Sequence, residues 1–394
     1  MNSPSTSKQR SEAFEAGVPL LDLGRQYAAI RGDILAAIER VCSSQHFILG
    51  AEVEAVEHEL AAFTGAAHAV GCASGTDALW LALTAVGVQP GDTVITTAFS
   101  FFASASAIVR AGGRPVFVDV DPHTLNIDPR QVDAHLRAGN STRLRALLPV
   151  HLYGQCADMD ALRQLGDAFR VAVVEDAAQA IGARWRDARA GSMGVLGTFS
   201  FYPSKNLSAY GDAGLVTTSH ADRAEHMRRL RNHGSPQRYL HEELGWNCRL
   251  DAIQAAILRV KLPHVETWNR KRRERAAAYD RLLTQSGLIS ATGDSPVRVL
   301  VRSPHAHHVY HQYVVRAQRR DELRQFLAQR KIGTEIYYPI PLHLQPVFAY
   351  LGYREGDLPE SERAAREVLA LPMFPELTES EQQWVVESVA EFYS

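Results

Sequence analysis

Glu175 and Asp176 directly follow the apolar run 171–174, and Lys205 stands three residues after Tyr202, where the run Thr198 to Tyr202 meets a proline. Acidic groups at the end of a buried strand lie where open α/β sheets gather their chemistry. An acid there and an amine beyond the next strand are the two groups a pyridoxal phosphate site needs. The anion at Asp176 favours a protonated ring nitrogen, and the amine of Lys205 holds the aldehyde as a Schiff base. Released during turnover, the same lysine can move a proton between substrate carbon and cofactor if its surroundings lower its pKa. Taken singly, the aspartate reads more readily as a helix cap and the lysine as a solvated surface charge; it is the two together that point to the cofactor.

Other stretches suit the same cofactor. Ser74-Gly75-Thr76-Asp77 joins a short strand to a helix, and the free amides and positive dipole end of such a start can seat a phosphate. Ser74 acting only as an N-cap fits that spacing too. Ala98-Phe-Ser-Phe-Phe follows the strand Val94 to Thr97, and an aromatic there can supply a flat face for a pyridine ring. Phe99 and Phe102 read as core. His151 and Tyr153, at another strand end, carry no assignment.

These motifs, in order, resemble the DegT/DnrJ nucleotide-sugar aminotransferases: Ser74 to Leu79, Glu175 to Gln179, Phe199 to Asn206, Gly211 to Gly214, Asn247 to Ala256 and Tyr337 to His343. The resemblance runs from about Leu20 to about Pro375. It implies the α/β fold-type I architecture, in which a mainly parallel seven-stranded sheet wrapped by helices forms a large domain beside a smaller C-terminal α+β domain. It implies pyridoxal 5'-phosphate as cofactor, with Gly75, Thr76 and Ser200 at its phosphate, Phe101 stacked on its ring, Asp176 at its nitrogen and Gln179 near its phenolic oxygen. Asn247 is implied to reach the neighbouring subunit's phosphate in a homodimer with shared sites, and Arg249 to lie beside the sugar. Tyr337 and His343 are candidates for contacts to the nucleotide-sugar, a rigid docking loop being the other reading of their segment.

The implied reaction moves an amine from an amino acid, L-glutamate by resemblance, to a nucleotide-linked keto-sugar. Gln179 and the run from Tyr337 to Gln345 are most similar to 3-aminotransferases acting on dTDP-3-keto-6-deoxyhexoses; a UDP-linked 3-keto-N-acetyl sugar or a 4-keto sugar is the alternative. Related dehydratases carry His where this chain has Lys205. A non-catalytic regulatory protein on the same fold is a further alternative, against which every matched motif position is filled.

Composition bounds the rest. A chain of 394 residues, 46% hydrophobic, can bury a large core, and a net charge of −2 offers no nucleic-acid footprint. Cys42, Cys72, Cys156 and Cys248 show no metal-type spacing and read as reduced thiols. With no apolar leader and no spanning run, the expected location is the cytoplasm, without membrane contact. Residues 1–16, rich in Ser and Thr, read as a disordered tail, 17–260 as the large domain and 261–394 as the small one. Apolar residues at helical spacing predict helices over 30–41, 53–63, 250–260 and 268–283. His305, His307, His308 and His311 have no carboxylate or cysteine interleaved, which argues against a metal site.

Overall fold

The computed structural model describes residues 17–139, 143–289 and 295–394; the tail expected over 1–16 lies outside them. Its centre is a seven-stranded sheet in the order β1-β9-β8-β5-β4-β2-β3. The strands are β1 His68–Cys72, β2 Thr93–Thr97, β3 Arg114–Val118, β4 Leu144–Leu148, β5 Ala172–Asp176, β8 Leu196–Ser200 and β9 Gly214–Thr218. Five neighbouring strands run parallel, and β9 alone is antiparallel to its neighbours β8 and β1. The expected mainly parallel seven-stranded sheet is therefore present.

Adjacent residues on each strand feed opposite faces, because side chains alternate across a sheet. Ala69, Ile95, Leu147, Val173 and Leu215 join one core with Val53, Val56 and Leu60 of α2 (Ala51–Thr64). Val70, Val94, Leu148, Val174 and Val216 join another with Leu79 and Leu83 of α3 (Gly75–Ala85), Ile108 of α4 (Ala103–Arg110) and Met227 of α7 (Ala221–Leu230). Both faces are covered, so the strands read as unbroken apolar runs. The first helix, α1 (Leu23–Ser44), starts well before the expected 30, since Asp22 caps it by accepting the amides of Gly24 and Arg25. Between α4 and α7 lie α5 (Pro129–Arg137) and α6 (Met159–Phe169), and a two-residue pair, β6 (Arg184–Trp185) and β7 (Ala188–Arg189), joins β11 (Ala306–His307).

The C-terminal part builds a three-stranded antiparallel sheet from β10 (Val297–Val299), β12 (Tyr313–Ala317) and β13 (Val368–Leu371). Its helices are α10 (Arg320–Gln329), α11 (Pro359–Glu367) and α12 (Glu379–Tyr393). After α8 (Ala252–Lys261), the 21-residue helix α9 (Val265–Gln285) runs through both halves. Its Trp268 packs with Ile34 of α1, whereas Ala276, Tyr279 and Leu283 enter the C-terminal core. The N-terminal segment also joins that core: Val18 pairs with Ile332, and Arg25 bonds Glu381 at 2.6 Å. Among the described residues no helix is long and apolar enough to cross a membrane, and no three His, Cys, Asp or Glu residues are grouped to hold a metal.

Candidate active site

Strand β5 delivers Glu175 and Asp176 to the sheet's carboxyl edge, and their side chains have separate jobs. Glu175 is fully buried; its carboxylate accepts the amides of Gly191, Met193 and Gly194 at 2.6–2.8 Å and contacts His151 Nε2 at 2.9 Å. Because Ala157 N–H donates to His151 Nδ1 at 3.1 Å, the ring proton sits on Nε2 and is given to Glu175. Four donors thus compensate one buried carboxylate, which pins the 191–194 loop to the strand. Asp176 faces the other way. Its Oδ2 accepts from Ser104 at 2.7 Å and its Oδ1 from the Ala178 amide at 3.2 Å. Burial raises its pKa, opposed by those two hydrogen bonds and by the charge of Lys205. Ser104, in the first turn of α4, is a site residue the sequence reading did not single out.

Lys205 sits in the turn that follows β8, its amide bonded to the Tyr202 carbonyl at 2.8 Å. Removal from water, which disfavours the charged amine, brings its pKa down to about 8, with attraction to Asp176 acting in the opposite sense. An amine so placed is partly neutral near physiological pH, the state in which it is a nucleophile and a proton carrier. The next residue, Asn206, is buried and bonds Asn269 on α9 (2.7 Å) and the Val309 carbonyl (3.1 Å).

The start of α3 meets the end of β8. Ser74 caps the helix, accepting the Asp77 amide at 3.1 Å, so the capping reading is correct as far as it goes. It does not use up the helix start, for Gly75 and Thr76 open the first turn and Gly75 lies against Ser200. A Cβ built on Gly75 would lie 2.6 Å from Ser200 Cβ, so glycine is what lets the helix terminus and that hydroxyl converge. Two independent elements thereby form a cradle suited to a phosphate, and the residues fit pyridoxal phosphate.

Phe101 is 57% exposed and offers a free ring face, its other neighbour being Tyr338 at 6.1 Å between centroids. Phe99 is wholly buried as expected, but Phe102 is 41% exposed and packs on Phe348 at 5.6 Å: it stands immediately before α4, at the surface rather than in the core. Gln179 is held from both sides. Its Oε1 accepts the Tyr153 amide at 2.6 Å, which fixes the amide's orientation, and its Nε2 donates to the Tyr338 hydroxyl at 3.0 Å. Tyr338 therefore accepts from Gln179 and keeps its own proton to donate. It is a second residue missing from the sequence reading, which chose its neighbour Tyr337. The Tyr337 carbonyl accepts the Tyr153 hydroxyl, and its side chain lines a 40 Å³ cavity with Ser204, His311 and Gln312.

The remaining candidates divide. Segment 247–250 runs beside the end of β1, with Ala73 N–H donating to the Cys248 carbonyl at 3.0 Å and Arg249 bridging to Cys72. Arg249 is thereby close to the Ser74 cap, its Nη1 on Asn232 at 3.0 Å. Asn247 is exposed. His343 is not brought to the site: it is 1% exposed and bonds Glu362 at 3.1 Å, a carboxylate 19 residues on that also takes the Gly356 amide. The four clustered histidines take separate partners: His305 packs on Trp185, His307 pairs with Arg184 across β11 and β6, His308 accepts the Tyr310 amide, and His311 contacts Asn206.

Residues 28–390 match the model of the DegT/DnrJ/EryC1/StrS aminotransferase family. A "pleiotropic regulatory protein" of Geobacillus stearothermophilus is 52% identical over 95% of this chain and 98% of its own. The dTDP-3-amino-3,4,6-trideoxy-alpha-D-glucose transaminase of Streptomyces venezuelae is 44% identical over 97% and 98%. A UDP-N-acetyl-3-dehydro-alpha-D-glucosamine 3-aminotransferase of Acidithiobacillus ferrooxidans is 43% identical over 92% and 95%. The crystal structure of S. venezuelae DesV superposes with a TM-score of 0.90 at 44% identity, covering 95% of this chain and 98% of that one. With an acid, an amine and a phosphate cradle converging at one sheet edge, this chain belongs to the DegT/DnrJ/EryC1/StrS aminotransferase family, whose enzymes work with pyridoxal 5'-phosphate.

Proposed function

We propose that the protein transfers an amine from L-glutamate to a dTDP-linked 3-keto-6-deoxyhexose, making the 3-amino sugar in the cytoplasm. The observation that carries this reading is the Gln179 amide, locked by Tyr153 so that a neutral donor pair, Gln179 and Tyr338, stands beside Asp176. The residue at 179 is the one that resemblance ties to the position aminated. Relatives named for dTDP-linked 3-amino sugars support the nucleotide, and the UDP-sugar relative keeps a UDP-3-keto-N-acetyl sugar as the second reading.

Bound there, pyridoxal phosphate supplies an electron sink for the carbon that loses its proton. The protein does the rest. Asp176, held by Ser104, carries the negative charge for the ring nitrogen. Gly75, Thr76 and Ser200 would hold the phosphate, Phe101 would offer its face to the ring, and Lys205 would take and return the proton. Asn247 is exposed on its own subunit, which suits a role at a partner's phosphate in a homodimer, and Arg249 remains on the sugar side. Residues 17–260 serve as the cofactor-binding unit and 261–394 as the smaller one.

The test is to mix purified protein, pyridoxal phosphate, L-glutamate and each candidate keto-sugar nucleotide, and to follow 2-oxoglutarate and the amino sugar by mass spectrometry. Formation of the 3-amino dTDP-sugar alone supports the proposal. Product only from a UDP-linked or 4-keto substrate transfers the assignment to that reading.

A further inference from the structure

Ser100 lies just before α4 and Ser104 in its first turn, and with Asp176 they form a buried chain of polar groups. The Ser104 hydroxyl is 2.7 Å from Asp176 Oδ2 and 2.9 Å from the Ser100 hydroxyl. The direction of the second bond follows from the first. A hydroxyl has one proton, and Ser104 gives its proton to the carboxylate, so toward Ser100 it has only lone pairs to offer. Ser100 is therefore the donor. The turn is closed by the Ser104 amide, which donates to the Phe101 carbonyl at 3.2 Å. The exposed ring of Phe101 and the hydroxyl pair behind Asp176 thus belong to one short stretch of chain, 100–104.

We infer that Ser100 is a positioning residue for Asp176 that acts through Ser104: by donating to the Ser104 oxygen it holds the Ser104 proton on the carboxylate that meets the cofactor's ring nitrogen. Two effects combine. A serine hydroxyl rotates freely to suit its partners, and the Ser100 proton, by occupying the lone-pair side of Ser104, fixes the rotation that points at Asp176. An O–H whose oxygen also accepts a hydrogen bond is in addition a stronger donor, by about 10–30% in a buried chain. Asp176 is supported in this way without a further cation beside it, which would compete with the ring nitrogen for the same oxygens. Ser100 itself touches neither the carboxylate nor the space in front of it. The inference rests on Asp176 serving the ring nitrogen and is independent of which sugar is used.

The test is the acid limb of pyridoxal phosphate binding to the full chain, read from cofactor absorbance, in wild type, Ser100→Ala, Ser104→Ala and the double variant, each kept to the pH range where its circular dichroism is native. The other groups facing the carboxylate, the Ala178 amide, Lys205, His151 and Tyr338, are the same in all four. Loss of a donor makes a carboxylate easier to protonate, so the limb moves to higher pH. Ser104→Ala is expected to move it by about one pH unit, the size of a hydrogen bond to a charged group. Ser100→Ala is expected to move it the same way by roughly 0.3 unit. The double variant should move no further than Ser104→Ala alone, because the link is already gone. Ser100→Cys, which fills the space with a much weaker donor, should match Ser100→Ala. An unmoved limb in Ser100→Ala, a double variant displaced by the sum of the two singles, or a wild-type limb in Ser100→Cys would each overturn the inference. A limb unmoved by Ser104→Ala would overturn it together with the role of Asp176.

Discussion

The backbone amide of Tyr153 points at Gln179 Oε1, 2.6 Å away, and so decides which end of the Gln179 side chain faces Tyr338. Tyr153 adopts a positive φ of 58° to do this. Replacing Gln179 by Leu leaves a buried amide without an acceptor, at a cost of about 1–3 kcal/mol. Urea unfolding should show that loss. Gln179→Glu, which keeps the acceptor for Tyr153, should recover most of the stability while altering sugar turnover.

At the phosphate cradle, Gly75→Ala places a methyl group where Ser200 already stands. The substitution favours the helix by about 1 kcal/mol in propensity, so stability alone is a poor readout. Binding distinguishes the effects: affinity for pyridoxal phosphate should fall at least about tenfold, whereas affinity for phosphate-free pyridoxal should hardly change. Equal losses for both would mean that the cradle does not carry the phosphate.

Ser104→Ala takes one hydrogen bond from the buried Asp176 carboxylate, a charged contact of about 1.5–3 kcal/mol. Its removal raises an already raised Asp176 pKa further. Cofactor affinity should therefore weaken on the acid side first, and the acidic limb of a spectroscopic binding titration should move to higher pH. An unchanged limb would show that Ser104 does not support the charge.

Lys261 gives a pH prediction with a definite sign. It is 1% exposed, donates to Ser208 Oγ at 3.0 Å and lies 4.2 Å from the Tyr210 ring centroid, and burial lowers its pKa to about 8. Between pH 8 and the ordinary value the unfolded chain holds a proton that the folded one has lost, so the native state gains stability as pH rises through this window. Lys261→Met removes that dependence. The stability of the variant minus that of wild type, from urea curves, should be most favourable to the variant below pH 8 and decline from there upward. A difference that stays flat with pH would refute the assignment.

Much of the fold was legible because strands covered on both faces need apolar residues at every position, as Val173 and Val174 show by entering different cores. Asp176 and Lys205 stood out as candidates for the same reason, since one ends such a strand and the other lies in the turn beyond the next. Ser104 and Tyr338 were not. Each depends on a contact between residues far apart in sequence, and a serine opening a helix or one of two adjacent tyrosines carries no local sign of its partner. His343 failed for the opposite cause: its residue type suggested chemistry, while Glu362 on a later helix claims it. The start of α1 was missed because a cap is polar and leaves no apolar periodicity.

Helix α9 has a mechanical consequence. Asn269 in its first half bonds Asn206 beside Lys205, and Tyr279 in its second half donates to the Pro372 carbonyl in the C-terminal core. A single strut thus spans from the reactive amine to the far core, and a swing of the C-terminal half about a hinge would drag the lysine with it.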